Sequence, residues 1–303
     1  MDISRVYKEL QTLVPNAIIQ CHETLKGYVY TQMGGNADIR VVPSTYDEVQ
    51  SIIKYAADHN VMITTLGNGS NVVIRDGGIR GIVLQMTNLQ EITISEYMLT
   101  AQSGASIIHA SRVALQNDLT GLEFACGIPG TVGGALYMNA GAYGGEVADV
   151  LLDALVVDST GQLLTLHKED MEWGYRQSVF AGGHYTILHA RFALERGEHS
   201  SIKEKMDDLT RQRESKQPLE YPSCGSVFKR PPNRFAGQLI QESGLQGVRI
   251  GGAEVSTKHA GFIVNVDNAT ASDYIALVAH VRVKVREKFG VELETEVKFI
   301  GEE

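Results

Sequence analysis

Residues 121–147 read GLEFACGIPGTVGGALYMNAGAYGGEV, eight glycines set among Leu, Phe, Ile, Val and Met. A flexible linker would dilute its glycine with serine and charge. Glycine at this density in an apolar setting instead requires backbone that approaches another group closely or adopts positive φ. A second glycine stretch, LGNGSNVVI at 66–74, lies in a β-branched context. It has no third glycine for G-x-G-x-x-G, no helix after it and no GK[ST], so it is neither of the common phosphate-loop fingerprints. Taken alone it reads either as a hairpin turn or as a concavity of successive amides that can hold an anion, with Ser70, Asn68 and Asn71 adding donors. Two such loops in one β-rich chain could close on a nucleotide cofactor from two sides.

The chain has 303 residues, 43% hydrophobic and 21% charged, enough for two or three domains with cores of their own. Apolar stretches such as LLDALVVD at 151–158 are broken by charge well short of the roughly 18 residues a membrane span needs. The opening MDISRVYKELQ lacks the apolar centre of a signal peptide, so a cytoplasmic protein with no membrane partner is expected. Cys21, Cys126 and Cys224 are odd in number and widely spaced, which predicts free thiols and no metal site. A formal net charge of −9 argues against a nucleic-acid partner. Residues 211–258 nevertheless hold eight bases (Arg211, Arg213, Lys216, Lys229, Arg230, Arg234, Arg249, Lys258) against four acids. That island is either a solvated mixed-charge surface or the seat of an anionic small molecule.

Val49, Ile52, Ile53, Ala56 and Ala57 repeat at helical spacing after Ser44 and Thr45, which predicts a capped helix. VMITTLGNGSNVVIRDGGIRGIVL reads as strand, loop, strand, turn, strand. EITISEYMLTAQSG continues the β-rich run, and SIIHASRVALQND (106–118) is a second amphipathic helix. Residues 150–171 form a hairpin, 184–196 a strand and 202–217 a charged helix that stops before Pro218. The last third alternates: FAGQLIQESG helix, AGFIVNVD strand, a helix over 271–290, then LETEVKFIG as a strand. The order predicts an α+β protein with boundaries near residues 86–98 and 197–205.

Single residues are ambiguous at this level. Ser226 in YPSCGSVFKR follows Gly225 and reads first as a turn residue entering a strand. Arg176 in WGYRQSVF sits beside Tyr175 on an expected surface strand, where an arginine commonly snorkels. In LETEVKFIG, Leu293, Thr295, Val297 and Phe299 alternate with Glu294, Glu296 and Lys298, so Glu296 is expected to point outward. His259 in STKHAGF reads as an ordinary turn histidine.

Taken in order, GNGSNVVIRDGGIRGIVL, GLEFACGIPGTVGGALYMNAGAYGGE, GYRQSVF, CGSVFKRP, STKHAGFIVN and LETEVKFIG resemble the UDP-N-acetylenolpyruvoylglucosamine reductase family, from GGNADIR to the C-terminus. The resemblance implies an FAD-binding domain of the vanillyl-alcohol oxidase and p-cresol methylhydroxylase type in two lobes, over 1–86 and 87–200, with 297–303 joining the first, and an α+β substrate-binding domain over 201–296. FAGG (180–183) runs directly into the HYTIL strand at 184, as in the family's shorter, second type. It also implies non-covalent FAD, held by Gly67, Asn68, Gly69, Ser70, Asn71, Gly127, Ile128, Pro129, Gly130, Thr131 and Gly134. NADPH is the co-substrate, and the UDP-N-acetylglucosamine enolpyruvate would be contacted by Tyr175, Arg213, Arg230 and His259. Arg176, Ser226 and Glu296 match the catalytic trio: Ser226 as proton donor to C2, Arg176 and Glu296 stabilising the enolate-like intermediate, with Lys229 near enough in sequence to support the serine. Lys298 stands where relatives carry arginine. Two other readings remain on these residues: an oxidase built on the same FAD domain, and a non-enzymatic nucleotide-sugar binding module.

Overall fold

The computed structural model describes residues 2–303, and its backbone divides into two units. The first comprises the chain up to Cys21, Ile39–Asn68 and Gly81–Arg213; the second comprises His22–Asp38, Gly69–Arg80 and Glu214–Glu303. The architecture is α+β.

The first unit has two sheet lobes. One is four-stranded, in the order Ile18–Cys21, Ala37–Val42, Ile79–Gln85, Ile63–Leu66, with the last pair parallel. Its core takes Val6 and Leu10 from the helix Ile3–Leu13 and Val49, Ile52 and Ile53 from Tyr46–His59. That second helix starts where the sequence sets a stop for the preceding strand. Thr45 accepts from Glu48 N–H, and the Glu48 carboxylate accepts from Ser44 and Thr45, a reciprocal cap. The other lobe is a five-stranded antiparallel sheet in the order Leu163–His167, Leu151–Asp158, Tyr185–Ala193, Met98–Gln102, Ile92–Ser95. The helices Ile107–Gln116 and Val132–Tyr137 supply Ile107, Ala110, Val132 and Leu136 to its core.

The second unit centres on a four-stranded sheet, Ser223–Ser226, Phe262–Asn265, Ala253–Val255, Arg249–Ile250, antiparallel throughout. The helices Ala236–Glu242 and Ala271–Phe289 contribute Leu239, Ile240, Tyr274, Leu277 and Val281 to its core. The C-terminal strand Lys298–Ile300 pairs parallel with Val72–Ile74.

Two local expectations fail. WGYRQSVF is a tight turn, with Gly174 and Gln177 exchanging N–H···O bonds at 3.0 and 3.1 Å, and not a surface strand. LETEVKFIG is regular only from Lys298; residues 293–297 run extended along Val227–Lys229, tied by a single bridge between Phe228 and Thr295. Its alternation is also broken: Leu293 and Val297 are buried, but Glu296 is half-buried and does not face solvent freely. No helix among the described residues is long and apolar enough to cross a membrane.

Candidate active site

The two glycine stretches touch at Gly67 and Thr131. A Cβ on Gly67 would stand 2.3 Å from the Thr131 hydroxyl, so only glycine fits there. That hydroxyl already accepts from Gly134 N–H at 3.2 Å, and Gln85 donates to the Gly67 carbonyl at 3.4 Å. Gly69 has φ +65 and packs so tightly against Val29 that a Cβ would fall 2.4 Å from it. The N–H groups of Asn68, Gly69 and Ser70 meet no backbone carbonyl among the described residues. In the second stretch Ile128 donates to Ala125 at 3.1 Å, and Val132 to Ala105 and Gly133 to Ser103, both at 2.8 Å, while the N–H groups of Gly127, Gly130 and Thr131 meet no backbone carbonyl among the described residues. An acceptor-rich ligand there can be met by those open amides, by the preceding loop and by side chains. Ser103 supplies one, since its hydroxyl is buried without a partner. A glycine cradle beside an unsatisfied buried donor fits a diphosphate.

Arg176 occupies the third position of the 174–177 turn with φ +56, a conformation usually left to Gly or Asn. The strain is held from outside. Asn139, fully buried, donates to the Gly174 carbonyl at 3.2 Å and accepts from Ala148 N–H at 3.0 Å; Ser178 donates to the Tyr137 carbonyl at 2.9 Å. The guanidinium donates to the Gly141 carbonyl at 2.8 Å and lies 5.1 Å from the Tyr175 ring. A backbone outlier so firmly clamped, carrying a cation, is the kind found at functional sites. Tyr175 itself is 53% exposed. Asn139 escaped the sequence reading; an asparagine followed by Ala-Gly carries no signal of its role.

Ser226 closes the strand Ser223–Ser226, and a bulge decides where it points. Ser223 faces Val264 and Ser226 faces Phe262, so three steps on one strand match two on the other. Gly225, at φ +79, takes up the extra residue. Without the bulge Ser226 would share the inward face of buried Cys224; with it Ser226 is exposed, while Val227 turns into the core. Glu296 N–H donates to the Val227 carbonyl at 2.8 Å, and Lys229 N–H to the Glu294 carbonyl at 2.9 Å. The structure thus brings Ser226 and Glu296 onto adjoining segments of the second unit, whereas Arg176 belongs to the first. Lys229 is ion-paired with Glu294 at 3.3 Å.

The expected substrate residues are also divided. Arg213 ends the first unit, its stem lying where a Cβ on Gly127 would come within 2.7 Å. In the second unit Arg230 stacks on Phe235 at 4.0 Å and is exposed. His259 accepts at Nδ1 from Gly261 N–H at 3.1 Å, which leaves the proton on Nε2. Burial lowers its pKa, so the ring is a neutral donor. Lys298 lies half-buried on the C-terminal strand.

The description "FAD binding domain" matches residues 37–167, and "UDP-N-acetylenolpyruvoylglucosamine reductase, C-terminal domain" matches 217–300. UDP-N-acetylenolpyruvoylglucosamine reductase 2 of Bacillus cereus (strain ATCC 14579) is 61% identical over 303 residues, covering 100% of this chain and 99% of its own. The Staphylococcus aureus (strain COL) reductase is 57% identical over 297 residues, 98% and 97% of the two chains. The crystal structure of the reductase from Thermus caldophilus superposes with a TM-score of 0.81 at 32% identity, covering 94% of this chain and 99% of that one. Full-length identity at this level, with both halves matched, means that the chain belongs to the UDP-N-acetylenolpyruvoylglucosamine reductase family and is an FAD-containing oxidoreductase.

Proposed function

We propose that the chain reduces UDP-N-acetyl-3-O-(1-carboxyvinyl)glucosamine to UDP-N-acetylmuramate, with NADPH as reductant and non-covalent FAD, in the cytoplasmic synthesis of peptidoglycan precursors. Bound FAD supplies the relay of a hydride from NADPH to C3 of the enolpyruvyl group, chemistry for which no side chain serves. What the chain adds is charge and a proton. Hydride addition at C3 drives electron density onto C2 and its carboxylate. Arg176, a fixed cation on a strained turn, stabilises that charge more than the neutral alkene, and Glu296 orders the hydrogen bonding around it. Ser226 then donates its proton to C2, which completes reduction of the double bond, and its exposure lets solvent return the proton. Arg213, Arg230, His259 and Tyr175 bind the anionic nucleotide sugar. Residues 67–71 and 127–134 hold FAD with Ser103, within FAD-binding lobes over 1–86 and 87–200; 201–296 carry substrate.

The observation that supports this most is the bulge at Gly225, which presents an exposed hydroxyl on Ser226 beside the carbonyl that holds Glu296. Rapid mixing tests it. NADPH should bleach the oxidised-flavin band without substrate, and the enolpyruvyl nucleotide should restore it. Ser226→Ala should leave the first phase alone and slow the second by roughly 10²–10⁴-fold. Flavin reoxidation that ignores the nucleotide, or flavin that acid does not release, would favour an oxidase.

A further inference from the structure

Tyr274, on the helix Ala271–Phe289, is fully buried, and its hydroxyl lies 3.1 Å from the thiol of Cys224, itself buried. The same ring meets Phe299 edge-on, with centroids 6.5 Å apart. Cys224 immediately precedes the bulge glycine, and Phe299 lies on the strand that follows Glu296. One helix-borne side chain therefore touches both the strand that ends in Ser226 and the segment that carries Glu296.

We propose that Tyr274 is a positioning residue: it pins Cys224 inward, so that the bulge stays at Gly225 and Ser226 stays outward, and it holds Glu296 in step through Phe299. The proposal rests on the roles given above to Ser226 and Glu296. A bulge can shift along its strand by one residue, and such a slip turns every side chain it passes to the opposite face. Here the slip would bury Ser226 and carry Cys224 away from the phenol. Apolar packing alone resists this weakly, because Val and Cys fill such a site equally well. A hydrogen-bonded thiol and phenol add direction, since a buried phenol left without a partner is penalised.

Stopped-flow on the FAD-loaded enzyme separates reduction by NADPH from reoxidation by the sugar nucleotide. Tyr274→Phe and Cys224→Val keep the volume and lose the hydrogen bond. Both should retain flavin and reduce at the wild-type rate, but reoxidise about 10- to 100-fold more slowly. Cys224→Ser gives the phenol a new partner and should recover most of the rate. Without substrate, amide hydrogen exchange over 225–228 and 294–297 should rise in the Phe and Val variants and not in the Ser variant. Should Cys224→Val misfold, Tyr274→Phe, which removes one oxygen, carries the test. Wild-type reoxidation in Tyr274→Phe, or a fast Val variant beside a slow Ser variant, overturns the proposal and makes the pair plain packing. Ser226→Ala run alongside separates the two readings. If it is slow while Tyr274→Phe is fast, only the positioning role falls; if it is as fast as wild type, the role of Ser226 falls and this proposal with it.

Discussion

The side-chain amide of Asn71 donates to the main-chain carbonyl of Glu296 at 3.3 Å, and Lys298 N–H returns a bond to the Asn71 carbonyl at 3.1 Å. A residue of the first glycine loop thus braces the segment that bears the candidate catalytic carboxylate.

Asn71→Ala should therefore act on chemistry as well as on the cofactor. The main-chain tie to Lys298 survives, and the lost side-chain bond should cost about 0.5–1.5 kcal/mol of stability. Urea unfolding and stopped-flow on the same sample would show a modest loss of stability together with slower substrate-driven reoxidation. A drop in flavin content with unchanged reoxidation per bound flavin would make Asn71 a cofactor residue alone.

Arg213 lies over Gly127, itself a cofactor candidate, so its allegiance is a sharp question. Removing a charge-assisted contact of about 1.5–3 kcal/mol, Arg213→Ala should weaken sugar-nucleotide binding by roughly 10- to 150-fold and leave flavin occupancy intact. Titration calorimetry and flavin absorbance read the two separately, and the reverse pattern would move Arg213 to the FAD site.

Gly67→Ala forces a methyl to within 2.3 Å of the Thr131 hydroxyl. Overpacking of this kind costs about 1–3 kcal/mol and here falls on the junction of the two glycine stretches. The variant should purify with little flavin. Gly27→Ala, where a Cβ meets nothing within 4 Å, is the matched control and should stay yellow.

Burial pushes the Cys224 thiol up to about 11 from an ordinary 9.0, and the Tyr274 phenol upward from 10.0. Below pH 9 the thiol is protonated folded or unfolded, and its full contribution is present. Between pH 9 and about 11 the unfolded chain gives up its proton first, so stability falls as pH rises, by on the order of 2–3 kcal/mol across the window. Chemical denaturation at pH 8.5, 9.5 and 10.5 should show wild type losing more than Cys224→Ser. Parallel slopes would mean that the thiol does not govern alkaline unfolding.

What the sequence displays is local. The helix Tyr46–His59 is legible because its apolar period and its reciprocal cap both lie within sixteen residues of chain. The six ordered motifs likewise carried the family. The geometry at Ser226 is another matter. A glycine before a serine is compatible with many turns, and only the pairing with Phe262 and Val264 makes Gly225 a bulge. Arg176 hid for the same reason: its left-handed backbone is imposed by Asn139 and Ser178, not by a turn-forming residue of its own. Glu296 misled because its alternation with apolar neighbours mimics a strand whose partner, at Val227–Lys229, supports only one bridge.

Asn71 and Glu296 stand 225 residues apart, and the strand Val72–Ile74 takes Lys298–Ile300 as its parallel partner. At about 5–20 residues per second of synthesis, that strand leaves the ribosome on the order of 10–45 s before its partner exists. During the interval a β-branched edge is open to any other nascent chain. The yield of active protein in a cell should thus be set by translation speed and chaperone supply, even in a variant whose finished fold is as stable as the wild type.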